Sequence, residues 1–278
     1  MKTIRIGHSP DADDAFMFYA IADRKVDLGQ YQFVDVVEDI ESLNKRALKG
    51  ELEATAISAA VYPQVANKYR ILSCGGSIGR GYGPIVVARK KMAASDLKGK
   101  LVAIPGPYTT AYLLLRIYAS GFEPVPMDFD KIIDAVLSNQ VDAGLIIHEG
   151  QITYASTGLV KILDLGEAWD RDTGLPIPLG LDVVRRDLGD EAADSVFHIL
   201  YNSIRYAIDH EDAALDYALR YGRGVEREIC RRFVRMYVNQ DTIQMGIEGE
   251  KALEKMFQLA YERQLIPSVP PLDIVGLK

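Results

Sequence analysis

The sequence predicts an α/β protein of two lobes, with the chain leaving the first lobe once and returning to it once. Three observations carry this. Short β-branched runs alternate with apolar-periodic helical segments from the N-terminus to about Arg185, the pattern of parallel βα units. The runs Pro84–Arg89 and Pro178–Arg185 sit where this series breaks and resumes, so they read as crossings near Val87 and near Leu181. From about Asp190 the periodicity is helical almost throughout. The expected layout is a first lobe of residues 1–88 plus 184–278, a second lobe of residues 89–183, a double hinge, and a ligand cleft between the lobes.

A strand carrying Ile4 and Ile6 runs into His8-Ser9-Pro10-Asp11-Ala12-Asp13-Asp14, and a helix with Phe16, Met17, Tyr19, Ala20 and Ala22 leaves it. Ser9 and Asp11 are N-cap types, Pro10 suits a helix entry, and Asp13 and Asp14 set negative charge against the positive end of the helix dipole. Two readings of the aspartates stay open. They cap a helix, or they are carboxylates at the end of a first strand, where open α/β sheets place ligands. No paired His or Cys stands nearby to complete a metal site. A second strand over Gln32–Val37 leads into a helix with Ile40, Leu43, Ala47 and Leu48 at helical spacing, ended by Gly50. Ala54–Ser58 is a strand into a helix from about Ala59, and Arg70–Ser73 is another strand.

Gly75 to Gly83 holds five glycines. Their spacing is not G-x-G-x-x-G and a strand follows rather than a helix, so this is no dinucleotide fingerprint. It reads as a flexible loop in which Arg80 is either a solvated cation or a contact for an anion. After a turn at Asp96–Lys100 and a strand over Leu101–Ile104, Thr109 and Thr110 precede the apolar run Ala111–Leu115. They mark a helix start, either an ordinary threonine cap or a site for a carboxylate or phosphate. A strand over Glu123–Met127, a helix over Phe129–Asn139 and a strand over Ala143–Ile147 follow, and the last ends on His148. That histidine is either a packing residue or, at the carboxyl edge of a sheet, a base suited to work near neutrality. Glu149 beside it is expected to point away or to orient neighbouring groups. Lys161–Leu165 makes one more strand. Turns are expected near His210 and over Gly222–Gly224, with a last helix from about Glu248 to Gln264 and a tail, holding Pro267, Pro270 and Pro271, that packs or frays.

A hydrophobic content of 48% supplies sizeable cores, and the formal charge of −7 is spread without any basic run, which excludes a nucleic-acid footprint. Cys74 and Cys230 lack spacing partners and are expected as buried free thiols. With no apolar run of about 18 residues and no signal-type h-region, the expectation is a soluble cytoplasmic protein with no membrane partner.

The segments HSPDADDAFMFY, EDIESLNKRAL, PGPYTTAYLLL and GLIIHEGQITY stand in this order, within a stretch reaching to about Arg186. Together they resemble the 1,4-dihydroxy-6-naphthoate synthase family of the futalosine route to menaquinone. The resemblance implies a periplasmic-binding-protein-like (type II) fold of two α/β lobes. It also implies a lyase that converts cyclic dehypoxanthinyl futalosine to 1,4-dihydroxy-6-naphthoate, with a small-molecule carboxylate as substrate and neither cofactor nor metal. Carried across by position, it makes His148 the general base. Ala56, Ile57, Ser58, Thr109, Thr110, Ala111 and Asp14 become substrate contacts. Ala56 stands where some members have Lys, which leaves the backbone and Ser58 to act there. Two other readings remain: chorismate dehydratase of the same pathway, and a cytoplasmic module that binds a small carboxylate. The oligomeric state is not set by the sequence.

Overall fold

The computed structural model describes residues 1–148, 150–221 and 226–276. Its strands, in chain order, are β1 (Lys2–His8), β2 (Tyr31–Val37), β3 (Ala54–Ser58), β4 (Tyr69–Leu72), β5 (Ser77–Gly79), β6 (Ile85–Ala88), β7 (Leu101–Ile104), β8 (Glu123–Pro126), β9 (Ala143–Ile146), β10 (Val160–Asp164), β11 (Ile177–Arg185) and β12 (Ile274–Val275). They form a seven-stranded sheet of order β12-β4-β11-β3-β1-β2, with β5 also on β11, and a five-stranded sheet of order β10-β6-β9-β7-β8. In the larger sheet β1 runs parallel to β2 from Lys2 opposite Tyr31 to His8 opposite Val37, and β11 lies antiparallel to both β3 and β4. In the smaller one β7 is parallel to β8 and β9, while β6 is antiparallel to β9 and β10.

Local chemistry sets the helix boundaries. The helix Ile40–Lys49 begins where the Asp39 carboxylate accepts the N–H groups of Glu41 and Ser42, and it ends at Gly50, whose φ of 75° suits a residue without Cβ. The helix Ala12–Ala22 has Ala15, Phe16, Phe18 and Ala20 all buried, because the helices Asp190–Asp209, Glu211–Ala218 and Arg227–Tyr237 pack around it. Ser203 Oγ donates to the Met17 carbonyl at 2.6 Å within that packing. A second core joins the sheets: Ile57, Ile71 and Phe257 share one apolar cluster with Val86, Leu114 and Trp169.

Several expectations need correction. The strand at Ile85–Ala88, expected to close the first lobe, lies inside the five-stranded sheet, where β9 and β10 both pair with it. The returning strand starts at Ile177 and belongs to the seven-stranded sheet along its whole length. The chain therefore passes between sheets over residues 80–84 and 174–176, ahead of both expected boundaries. Gly75–Gly83 is not simply a loop, since Ser77–Gly79 pairs with β11. The helix expected over Phe129–Asn139 is a 3₁₀ turn at Phe129–Lys131 followed by Ile132–Leu137, and the one from Ala59 is a 3₁₀ turn followed by Tyr62–Val65. The tail packs, with Ile274 and Val275 parallel to Ile71 and Leu72. Cys74 and Cys230 are buried outside any disulfide. Among the described residues no helix is long and apolar enough to cross a membrane. Glu149 and the Gly222–Gly224 turn lie outside the described residues.

Candidate functional site

The strand ends of both sheets face one cavity, and all eight residues singled out in the sequence line it. Asp14 and the stretch Ala56-Ile57-Ser58 come from the seven-stranded side. Thr109, Thr110 and Ala111 come from the start of the helix Thr110–Tyr118, and His148 comes from just beyond β9.

His148 adopts φ 56°, in the left-handed region, which turns the chain sharply off the end of β9. Its ring meets the edge of Phe129 at 4.8 Å, and its Nδ1 lies 3.2 Å from Asp11 Oδ2. A carboxylate beside one ring nitrogen favours the proton on that nitrogen, which leaves Nε2 as the basic one. Asp11 is only 2% exposed and also accepts a hydrogen bond from Ser9 Oγ at 2.7 Å. Although Asp11 occupies the N-cap position of the helix Ala12–Ala22, its side chain makes no capping bond there. The sequence reading as a cap thus identifies the right position and the wrong partner. Gln151 steadies the same turn: its amide donates to the Gly83 carbonyl at 2.6 Å and accepts from His148 N at 3.3 Å and from the Tyr237 hydroxyl at 2.7 Å.

The threonine hydroxyls are already committed. Thr109 caps the helix by accepting from Tyr112 N and donates to the Gly106 carbonyl at 2.9 Å. Thr110 donates to the Leu179 carbonyl at 2.6 Å and accepts from Ala60 N at 3.1 Å, which ties the helix start to the larger sheet. What this helix start offers a ligand is the N–H groups of Thr110 and Ala111, which lie in the first turn and have no intrahelical acceptor. Ser58 is held by a buried Asn44, whose Nδ2 donates to Ser58 Oγ at 3.0 Å and whose Oδ1 accepts from Ser58 N at 2.8 Å. The serine's own O–H proton stays available to the cavity.

Arg80, the other anion candidate, is spent elsewhere. It pairs with Asp241 at 2.6 Å and Glu248 at 2.7 Å, beside a different and smaller cavity.

With this geometry in place, the comparisons with known proteins are direct. The family model described as Menaquinone biosynthesis matches residues 4–262. The chain belongs to that family. It is 43% identical over 275 residues to 1,4-dihydroxy-6-naphtoate synthase of Thermus thermophilus, covering 99% of this chain and all of the relative. Among solved structures it is similar to protein AF1704 of Archaeoglobus fulgidus, with TM-score 0.91 and 50% identity over 95% of this chain and 98% of that one. It also resembles the Candida albicans CA3427 gene product, described as having the generic periplasmic binding protein fold, with TM-score 0.68 and 12% identity over 100% and 99% of the two chains. That last likeness concerns the fold alone: the chain has an α/β fold of the periplasmic-binding-protein kind.

In this member of the menaquinone-biosynthesis family the larger-sheet wall of the cavity is acidic. Asp14 accepts Ser9 N at 2.6 Å, and burial pushes its carboxyl above the usual range, with the neighbouring His8 pulling the other way. His8 is buried, stacks on Phe18 at 4.7 Å and donates from Nδ1 to the Ser9 carbonyl at 2.9 Å. Asp182, on β11, is raised well above the usual carboxylate range by burial and then by the proximity of Asp14. The described residues lining the cavity include neither Lys nor Arg, and no described group of three or more His, Cys, Asp or Glu could hold a metal ion. Sequence reasoning missed Asp11 as the partner of His148, Asn44, Gln151 and Asp182. Asp11, Asn44 and Gln151 lie inside the recognised segments and so left a signal, whereas Asp182 lies in none of them.

Proposed function

We propose that this chain is the lyase that breaks cyclic dehypoxanthinyl futalosine to give 1,4-dihydroxy-6-naphthoate in menaquinone biosynthesis, with His148 as the general base. The observation that carries this reading is His148, on the wall of the cavity between the strand ends of a menaquinone-biosynthesis family member, with its Nδ1 set 3.2 Å from Asp11. Breaking a carbon skeleton toward an aromatic product calls for a base, an anchor for the substrate carboxylate and a site closed to water. The basic Nε2 of His148 takes the proton, and Asp11 stabilises the imidazolium that forms. With no lysine or arginine on the described wall, the carboxylate is held by the N–H groups of Thr110 and Ala111 at the positive end of their helix, and the Ser58 hydroxyl adds a donor.

In this reading the two sheets are the cores of two lobes, and residues 80–84 and 174–176 are the double hinge of a type II binding-protein architecture acting in the cytoplasm. Asp11 follows β1 of one sheet and His148 follows β9 of the other, so closing the cleft over substrate also assembles the base. The bond from Gln151 to Gly83, in the first crossing, supports this.

The test is incubation of the purified full-length protein with cyclic dehypoxanthinyl futalosine and, separately, with chorismate, with products followed by mass and absorbance. The naphthoate is expected from the first and no reaction from the second. Dehydration of chorismate without naphthoate formation would move the chain to the dehydratase reading. Binding of either compound without turnover would make it a carboxylate-binding module.

A further inference from the structure

Asp182 is a carboxyl on the cavity wall that has no work in the scheme above. It sits in the middle of β11, opposite Ala56 of β3, and is 3% exposed. Its Oδ2 is buried with no hydrogen-bond partner among the described residues, although it lines the cavity. The fold makes room for it. Gly75 lies across from it at φ 82°, and a Cβ on that glycine would come within 1.9 Å of Asp182 Oδ2. A buried polar atom left unpaired is costly, so such an atom on a ligand cavity marks a place where the ligand supplies the partner.

Position along the strand says which part of the ligand that is. Thr110, whose N–H belongs to the carboxylate anchor, touches the Leu179 carbonyl at 2.6 Å. Asp182 lies three residues further along β11, about 10 Å away at the usual strand rise of about 3.3 Å per residue. Asp14 stands near Asp182, and both carboxyls share the wall that lacks Lys and Arg. An anionic group placed there meets two carboxyls, one buried and one half-buried, whereas a hydroxyl can donate to one and accept from a protonated one. The name 1,4-dihydroxy-6-naphthoate describes a molecule of this polarity: hydroxyls on one ring and a carboxylate on the other. We propose that Asp182 is a substrate-binding residue whose unpartnered carboxyl takes the oxygen destined to become a ring hydroxyl, while the Thr110–Ala111 helix start takes the carboxylate, which fixes the direction in which the ligand lies.

The identity of the ligand rests on the synthase reading above, so the test separates orientation from activity. Dissociation constants of two probes are measured by calorimetry for the wild-type full chain, D182A and D182N: 1,4-dihydroxy-6-naphthoate, and 2-naphthoate, which has the carboxylate but no hydroxyl. D182A is expected to weaken the dihydroxy acid about fivefold to tenfold, as for loss of one hydrogen bond, and to leave 2-naphthoate unchanged. D182N, which keeps a donor and an acceptor, is expected to lose less than about threefold. Thermal unfolding of both variants is expected to show the fold kept, since removing an unpaired buried carboxyl relieves a cost rather than creating one. Equal weakening of both probes, no weakening of either by D182A, or failure of the wild type to bind 2-naphthoate would each overturn the assignment. Wild-type turnover of the futalosine substrate, measured on the same preparation, reports independently on the synthase reading.

Discussion

Replacing Thr110 by Val tests whether this threonine acts on the ligand with its hydroxyl or only with its backbone. The hydroxyl donates to the Leu179 carbonyl at 2.6 Å and accepts from Ala60 N at 3.1 Å, so valine keeps the shape and leaves one carbonyl and one N–H unpaired. At about 1–1.5 kcal/mol for each, the cost is about 2–3 kcal/mol. Unfolding entropy of about 2.1 cal/mol/K per residue amounts to about 0.6 kcal/mol/K over the 278 residues, so the melting temperature should fall by about 3–5 °C. Because the hydroxyl proton is already given to Leu179, KM should rise by less than about threefold, and Thr110→Ser should restore the wild-type melting temperature. Differential scanning calorimetry and steady-state kinetics on the same samples measure both quantities. A tenfold rise in KM at an unchanged melting temperature would refute the reasoning, since it would mean that the hydroxyl faces the substrate and the bond to Leu179 is dispensable.

His148→Asn should keep the fold and lower turnover by about 100-fold or more, the usual scale of a general base, and a folded variant with near-normal turnover would remove His148 from the chemistry. Asp11→Ala should lower kcat by about tenfold while KM changes little, because Asp11 touches the base and not the substrate in this scheme; a rise in KM alone would make it a binding residue. Exhaustive chelation should leave turnover intact, since no described acidic or His/Cys cluster could hold a metal, and restoration by a divalent ion after loss would refute this. Stability should fall as pH rises: Asp14 and Asp182 titrate near 3.9 in the unfolded chain and higher in the fold, so the folded state holds the extra protons and its advantage is lost through that window. Asp182→Asn should flatten this slope in melts taken from about pH 4 upward. Glu53, pulled down chiefly by its hydrogen bond from Arg5, acts in the opposite sense, and its contribution is lost as pH falls below about 4.3.

Elements whose cause is local were legible in the sequence. Asp39 and Gly50 bracket the helix Ile40–Lys49 because a side-chain cap and a left-handed terminus act within a few residues. Membership of a sheet is decided by partners far along the chain, and there the reading slipped. Nothing within Ile85–Ala88 records that β9 and β10 will flank it, and nothing in Ile177–Arg185 records that it will run between β3 and β4. Ser77–Gly79 and Ile274–Val275 are too short to show any period, and only β11 and β4 make strands of them.

The site divides along the same line. The family resemblance named eight residues, five of them inside the recognised segments, and all eight line one cavity. It did not say what each side chain does there. Thr110 looks like a hydroxyl donor from its neighbours in sequence, yet its proton goes to a carbonyl on β11. Asp11 looks like a cap, yet its carboxylate faces an imidazole from the other sheet. The polarity of the cavity lies furthest from the sequence. A net charge of −7 spread along the chain does not reveal that cations such as Arg5 and Arg80 are tied to Glu53, Asp241 and Glu248, while Asp14 and Asp182 are left lining the cavity. Once the cations are placed outside, the proposed carboxylate anchor is the set of backbone N–H groups at a helix start, and in the same proposal the acidic wall disfavours that end of the molecule on the opposite side. The proposed direction of the substrate thus follows from where the arginines are not, which only the folded chain displays.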